Sequence, residues 1–187
     1  MHTVKINHED TALTTTTATE AIPTLAGPFG FFQIAYVTND LEQAVRALGA
    51  LYGIGRFQVN RGAQIETGAG IATAHFALAF VGEQQIELIE PAGGVDSVYR
   101  EPLPVTGFAV RMHHAGRLIT DAEEWDRVCS SVAAGGLATP VRGVYCHEGV
   151  PLMHYVYADT RAVLGHYLEF MYRTVAGRDI FAQVPRY

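Results

Sequence analysis

Two stretches of the sequence carry metal-binding side chains where β-strands are expected. In "MHHAGRLITDAEEW", residues 112–125, two adjacent histidines begin a strand that an acidic helix start follows. The stretch "FFQIAYVTNDLEQA", residues 31–44, has the same outline, with Gln33 at the place of His114. Because imidazole nitrogens and amide oxygens both bind divalent cations, these two positions are candidate metal ligands.

Two glutamates complete the candidate site. Glu87 lies in "QIELIE" and Glu169 lies in "HYLEFMY", each between apolar residues. Alternate side chains of a strand leave opposite faces of the sheet, so apolar neighbours that pack on a helix leave each glutamate on the other, concave face. There the glutamates would meet Gln33 and His114. Two carboxylates, an imidazole and an amide suit a divalent cation with room left for substrate.

Other interpretations of the same residues remain open. A solvent-facing strand position would also account for Glu87. The apolar residues around Glu169 fit helical spacing as well as strand alternation, so periodicity alone leaves that element undecided. By strand register His113 is expected to face away from His114, as a packed or surface histidine. Further candidates for lining a pocket are His75, Tyr155 and Tyr157.

The elements that must position these residues occur twice. A helix capped by Asp40 is expected to end at Gly53, and a helix capped by Asp121 is expected to end at Gly135. Pro91 ends the strands that flank the turn at Gly82. The predicted strands are 31–37, two within 75–91, 108–119, about 141–146, about 153–158 and 164–172, and the predicted helices are 41–53 and 122–134.

A constant offset indicates an internal duplication. His114 lies 81 residues after Gln33, and Asp121 lies 81 residues after Asp40. The two glutamates are 82 residues apart. A repeat of about 80 residues accounts for all three spacings, each copy being a β-α-β-β-β unit. The predicted fold is therefore α+β, with two tandem βαβββ modules forming a half-open barrel of mixed sheet.

Composition limits the domain organisation and the partners. The 187 residues suit one domain at 27–187, with modules at about 29–100 and 106–173 and a C-terminal tail. Residues 1–26, rich in Thr and Ala, are expected to form a disordered or extended arm. A net charge of −6 without a Lys/Arg cluster argues against nucleic acid as partner, and no apolar run reaches membrane length. With two cysteines and no signal-peptide pattern, a cytoplasmic protein is expected.

The chain resembles the vicinal oxygen chelate superfamily, which includes glyoxalase I, methylmalonyl-CoA epimerase, extradiol dioxygenases and bleomycin-resistance proteins. The stretches that carry the resemblance are "FFQIAYVTNDLEQAV", "VGEQQIELIEP", "MHHAGRLITDAEEW" and "DTRAVLGHYLEFMY". The resemblance implies that Gln33, Glu87, His114 and Glu169 bind a divalent metal ion (Zn, Ni, Co or Mn). A homodimer that acts on a small molecule, and binds neither nucleic acid nor membrane, is the expected assembly.

The function that the resemblance implies is a metal-dependent, glyoxalase-like lyase or isomerase/epimerase. Its substrate would be a carbonyl-containing, apolar or aromatic small molecule that reacts through an enediolate. Glu169 would move the α-proton, and Glu87 could serve the opposite face of the same carbon. One alternative is a metal-free protein that binds a small molecule or confers resistance to it. An Fe(II) dioxygenase is a second alternative, although Gln33 removes one of the two histidines that such a site uses.

Overall fold

A computed structural model describes residues 27–187 of the chain, and the predicted arm at residues 1–26 lies outside the described residues. The strands are β1 (Gln33–Thr38), β2 (Gln58–Thr67), β3 (Gly70–Val81), β4 (Gln84–Gly94), β5 (Val110–Ile119), β6 (Arg142–His147), β7 (Val150–Ala158) and β8 (Tyr167–Arg173). The helices are α1 (Leu41–Tyr52), α2 (Ser97–Arg100), α3 (Ala122–Ala134) and α4 (Arg161–Leu164).

All eight of these strands belong to one mixed sheet, in the order β2-β3-β4-β1-β5-β8-β7-β6. Within each repeat the first and last strands are parallel, β1 with β4 and β5 with β8, and the repeats join through the antiparallel pair β1 and β5. At the outer edges the Gly68 amide donates to the Pro140 carbonyl at 2.8 Å, which brings β2 close to β6. The sheet is thus a nearly closed barrel, and the predicted fold class is confirmed.

The two long helices begin and end as their capping residues predict. The Asp40 carboxylate accepts a hydrogen bond from the Gln43 amide at 2.8 Å, and the Asp121 carboxylate accepts one from the Glu124 amide at 2.7 Å. Gly53 ends α1 with a φ of 71°, a left-handed conformation that glycine adopts without strain. Among residues 27–187, none of the helices combines the length and apolar composition that crossing a membrane takes.

Each long helix covers the outer face of its own repeat. Residues of α1, among them Leu41 and Leu48, pack with Ile86 and Leu88 of β4. Residues of α3 pack in the same way with Leu168 and Phe170 of β8. Because these strand residues face the helices, the residues between them face the barrel interior, as the alternation predicts.

Several parts of the fold differ from the sequence prediction or extend it. The prediction that Pro91 ends the strand is wrong, because β4 continues through Pro91 to Gly94. The sequence pattern does not predict strand β2, because most of the residues in β2 are exposed and polar. The segment around Glu169 is strand β8 and not the alternative helix. The C-terminal tail pairs with the end of β3 that extends beyond β2: the Phe80 amide donates to the Pro185 carbonyl at 2.8 Å, and the Tyr187 amide donates to the Phe80 carbonyl at 3.0 Å.

Candidate active site

The four residues that the sequence singled out meet at the centre of the barrel. His114 Nε2 lies 3.1 Å from Glu169 Oε2, 3.2 Å from Gln33 Oε1 and 3.4 Å from Glu87 Oε2. His114 is fully buried, and at most 9% of any of the other three residues is exposed. The structure therefore places three oxygen atoms from three different strands around one imidazole nitrogen.

The sheet order explains why these four residues converge. β4, β1, β5 and β8 are the four central strands, and each supplies one residue of the site. In the strand register Ala35 is the neighbour of Glu87, and Gly116 is the neighbour of Glu169. A Cβ atom on Gly116 would lie 2.9 Å from Gln33 Oε1, so the missing side chain at this position leaves the space that Gln33 occupies.

His113 also points into the barrel, and the prediction that it faces away is wrong. The register between β1 and β5 shifts at this point: His114 pairs with Ala35 and Met112 pairs with Tyr36, which leaves His113 as the extra residue of a β-bulge. At a bulge the strict alternation of side chains fails. His113 is only 2% exposed, and its ring centroid lies 5.1 Å from that of Tyr167.

A chain of hydrogen bonds through His113 orients His114. His113 Nε2 lies 3.0 Å from the Val98 carbonyl oxygen, which can only accept, so this nitrogen carries the hydrogen. Burial, with the neighbouring His114 charge, lowers the pKa of His113 to about 3, so its Nδ1 is an acceptor. That Nδ1 lies 2.9 Å from His114 Nδ1, which therefore donates. The other nitrogen of His114, Nε2, is left facing the three oxygens.

Burial and mutual contact shift the pKa values of several side chains in the site. Burial alone lowers the pKa of His114, but the carboxylates of Glu169 and Glu87 outweigh it and raise this pKa to about 9. Burial raises the pKa of Glu87 above its ordinary value, against the lowering effect of His114. Burial also raises the pKa of Tyr157, so this phenol is neutral at physiological pH. His114 therefore keeps its proton at neutral pH, with Nε2 facing the two carboxylates.

The types of donor atom, two carboxylate oxygens, an amide oxygen and an imidazole nitrogen, suit a divalent cation. As they stand, no three or more His, Cys, Asp or Glu side chains of residues 27–187 are arranged to hold a metal ion, since the oxygens contact His114 Nε2 itself. Ligand atoms about 2.1 Å from a metal and about 90–109° apart are separated by roughly 3.0–3.4 Å. The observed separations from Nε2, 3.1 to 3.4 Å, match that spacing. Each of the three oxygens therefore stands at a distance from Nε2 that two ligands of one cation can have.

A cavity opens from this centre between β2, β7 and the C-terminal tail. Its volume is about 200 Å³, below the roughly 300–1,000 Å³ of pockets for drug-sized ligands, so it suits a small molecule. Tyr155 and Tyr157 line it as expected, whereas His75 instead accepts a hydrogen bond from the Gly62 amide at 2.9 Å. Among the described residues, those that line the cavity include no Lys or Arg. The lining residues are Gln33, Gln58, Asn60, Ala63, Gln64, Ile65, Phe76, Leu78, Gln85, Glu87, Tyr99, Tyr145, Met153, Tyr155, Tyr157, Glu169, Met171, Ile180, Phe181 and Val184.

Two features of this cavity escaped sequence reasoning. Phe181 of the tail forms part of its wall and packs on Phe32 at a ring-centroid distance of 5.5 Å. Gln85 lies fully buried beside Gln33, and its side-chain Nε2 donates to no acceptor among the described residues. The alternation in "QQIELIE" was sufficient to predict the inward direction of Gln85, two residues before Glu87. The wall formed by the tail had no comparable sequence pattern.

Comparisons with known proteins agree with the fold. The model of the family described as "Glyoxalase/Bleomycin resistance protein/Dioxygenase superfamily" matches residues 32–140. No curated protein matches the chain.

Several solved structures of methylmalonyl-CoA epimerases are similar to this chain. The Mycobacterium tuberculosis epimerase is 13% identical with a TM-score of 0.50, and the match covers 82% of this chain and 91% of that one. A variant of the Streptomyces coelicolor epimerase in complex with 2-nitronate-propionyl-CoA is 16% identical with a TM-score of 0.50, covering 80% and 99%. A methylmalonyl-CoA epimerase in complex with methylmalonyl-CoA and ammonium is 16% identical with a TM-score of 0.52, covering 82% and 98%. At these identities the likeness shows the fold alone.

Proposed function

The chain belongs to the glyoxalase/bleomycin resistance protein/dioxygenase superfamily, and from that membership we propose that it is a metal-dependent lyase or isomerase/epimerase. Its substrate would be a carbonyl-containing, apolar or aromatic small molecule that loses a proton next to the carbonyl. The observation that carries the proposal is the set of three oxygens 3.1 to 3.4 Å from His114 Nε2. A binding protein for an apolar ligand has no need of two buried carboxylates at the end of its pocket.

Gln33, Glu87, His114 and Glu169 would hold the divalent cation, which we expect to be Zn²⁺, Ni²⁺, Co²⁺ or Mn²⁺. When bound, the cation would supply Lewis-acid stabilisation of the negative charge that develops on the substrate oxygens. The bond between His113 and His114 would keep the Nε2 lone pair directed at that position.

Glu169 would accept the α-proton of the substrate, and the resulting carboxylic acid would return it to the product. Glu87 approaches the same His114 nitrogen, at 3.4 Å, and would act on the opposite face of the same carbon. The apolar and aromatic lining would limit access of water to the deprotonated carbon and would favour apolar or aromatic groups on the substrate. General-base help of this kind typically contributes about 10²–10⁴-fold to the rate.

Metal content is the first test. We expect about one divalent ion per chain after purification without chelator, measured by elemental analysis. A chain that binds none of the four ions, even after incubation with them, would refute the proposal and favour the metal-free binding protein. Stoichiometric iron with oxygen consumption would instead favour the dioxygenase.

Proton transfer is the second test. Proton NMR in D₂O would follow exchange of α-protons in a panel of α-hydroxy ketones, α-keto thiohemiacetals and acyl thioesters. Glu169→Gln should keep the fold and much of the metal, since an amide oxygen can still coordinate, and should lower kcat far more than it raises KM. Glu83→Gln, the same change on the exposed turn after β3, is the matched control and should catalyse α-proton exchange at the wild-type rate. Undiminished exchange in Glu169→Gln would assign the base to another residue.

A further inference from the structure

The Gln85 amide nitrogen is a buried donor without an acceptor. Gln85 is fully buried in β4, on the same face as Glu87, and it lines the cavity. Within the described residues, Gln85 Nε2 is the buried side-chain nitrogen or oxygen for which no hydrogen-bond partner exists. Leaving a buried N–H without an acceptor destabilises the folded state, so such a group in a pocket points to a ligand.

The orientation of this amide is fixed by its neighbours. Gln33 Oε1 faces His114 Nε2 at 3.2 Å, which leaves the Gln33 NH₂ group on the other side. That group donates to Gln85 Oε1 at 2.7 Å. Rotating the Gln85 amide by half a turn would set two N–H groups against each other, so Gln85 Nε2 must point away from Gln33.

We propose that Gln85 Nε2 donates a hydrogen bond to an uncharged oxygen of the substrate, a carbonyl or hydroxyl oxygen next to the reacting carbon. This assignment rests on the proposed function, since it places the substrate in the cavity that the carboxylates share. Gln85 is then a binding and specificity residue, which acts directly on the substrate.

The charges around Gln85 select a neutral oxygen over an anionic one. Glu87 follows two residues later on the same face of β4, and Glu169 lines the same cavity. Among the described residues, the cavity lining offers no Lys or Arg that could offset a carboxylate or phosphate on the substrate. In the metal-free protein these carboxylates would therefore repel an anionic group beside Gln85, whereas a ketone or alcohol oxygen would be accepted.

The test uses 2-hydroxyacetophenone, a neutral aromatic α-hydroxy ketone, and mandelate as the anionic probe of similar size. Binding to the metal-free full chain is measured by NMR titration, together with the side-chain NH₂ resonances of Gln85 in ¹⁵N-labelled protein. We expect 2-hydroxyacetophenone to bind more tightly than mandelate and to shift those resonances. Gln85→Leu should weaken its binding about 3- to 10-fold, the worth of one neutral hydrogen bond.

Gln84→Leu is the matched control, because Gln84 is the adjacent glutamine and its amide donates to the Phe31 carbonyl at 2.9 Å, outside the cavity. It should bind the probe like the wild type. Three results would overturn the proposal: unmoved Gln85 resonances at saturation, equal affinity of the two variants, or mandelate binding as tightly as the ketone. If the ketone binds as expected but no α-proton exchange occurs in metal-loaded protein, the proposed reaction fails while the Gln85 assignment stands.

Discussion

Replacing Gly116 by alanine should disturb the metal ligand Gln33 through a single added methyl group. The new Cβ atom would lie 2.8 Å from Met171 Cε and 2.9 Å from both Cβ and Oε1 of Gln33. Ordinary contacts begin near 3.4 Å, so the methyl group overlaps its neighbours by about half an ångström. Met171 can move its terminal methyl group, but Gln33 Cβ is fixed to β1, and the Gln33 amide must therefore shift.

Two opposing effects determine how far Gly116→Ala lowers the free energy of unfolding. Overpacking a core costs about 1–3 kcal/mol, and replacing glycine stabilises by about 0.4–1 kcal/mol through the unfolded chain. At the midpoints of these ranges the free energy of unfolding falls by about 1.3 kcal/mol, which for a domain of this size lowers Tm by roughly 3–5 °C. Misplacing the Gln33 amide should also weaken metal binding about 10-fold, by analogy with the loss of a group that orients a ligand.

Calorimetry of the metal-free protein and titration with Zn²⁺ measure the two effects separately. Gly30→Ala is the matched control, because a Cβ atom at Gly30 would meet nothing within 4 Å. It should leave both Tm and metal affinity close to those of the wild type. If Gly116→Ala and Gly30→Ala behave alike in both measurements, Gly116 does not set the position of Gln33 and the packing argument is wrong.

Two further predictions concern the histidine pair and an ion pair outside the site. His114→Ala should lose most of the Zn²⁺ affinity in a calorimetric titration. His113→Phe should bind Zn²⁺ about 10- to 100-fold more weakly, because His114 is no longer oriented. An unchanged Zn²⁺ affinity in His113→Phe would contradict this expectation. The Arg100 hydrogen bond lowers the pKa of Asp96 below 3.8, so this carboxylate stabilises the fold above that pH and the benefit is lost as pH falls through the folded pKa. In urea unfolding, acidification should lower the free energy of unfolding of the wild type by at most about 1 kcal/mol more than that of Asp96→Asn, since Arg100 is half exposed.

The sequence was informative wherever local patterns decide structure. The caps at Asp40 and Asp121 predicted the starts of α1 and α3, and a constant offset predicted the duplication. The alternation around Glu87 and Glu169 predicted which face of each strand carries the carboxylate. The caps and the alternation depend on neighbouring residues, and the duplication depends on a spacing within the sequence, so all three could be derived without knowledge of the tertiary fold.

Features set by contacts between distant segments could not be derived in this way. The bulge that turns His113 inward arises from the pairing of β5 with β1, which the sequence of β5 does not specify. The wall at Phe181 depends on where the tail meets the edge of β3. The orphaned amide of Gln85 becomes visible only when the orientation of Gln33 is known.

The surroundings of the two glutamates predict that they differ in the reaction. Across the sheet Glu87 is paired with apolar Leu78, whereas Glu169 is paired with the neutral phenol of Tyr157. A chain with one base should exchange a single prochiral α-hydrogen of 2-hydroxyacetophenone, and a chain with two opposed bases should exchange both.

We expect Glu169→Gln to abolish exchange at one of these hydrogens. Glu87→Gln should leave that hydrogen exchanging, and it should remove exchange at the other only if the chain acts on both faces. Deuterium incorporation resolved by NMR, after derivatisation with a chiral reagent, distinguishes the two positions. If both variants lose exchange at the same hydrogen, the two glutamates act together on one face of the carbon, and opposed roles are refuted.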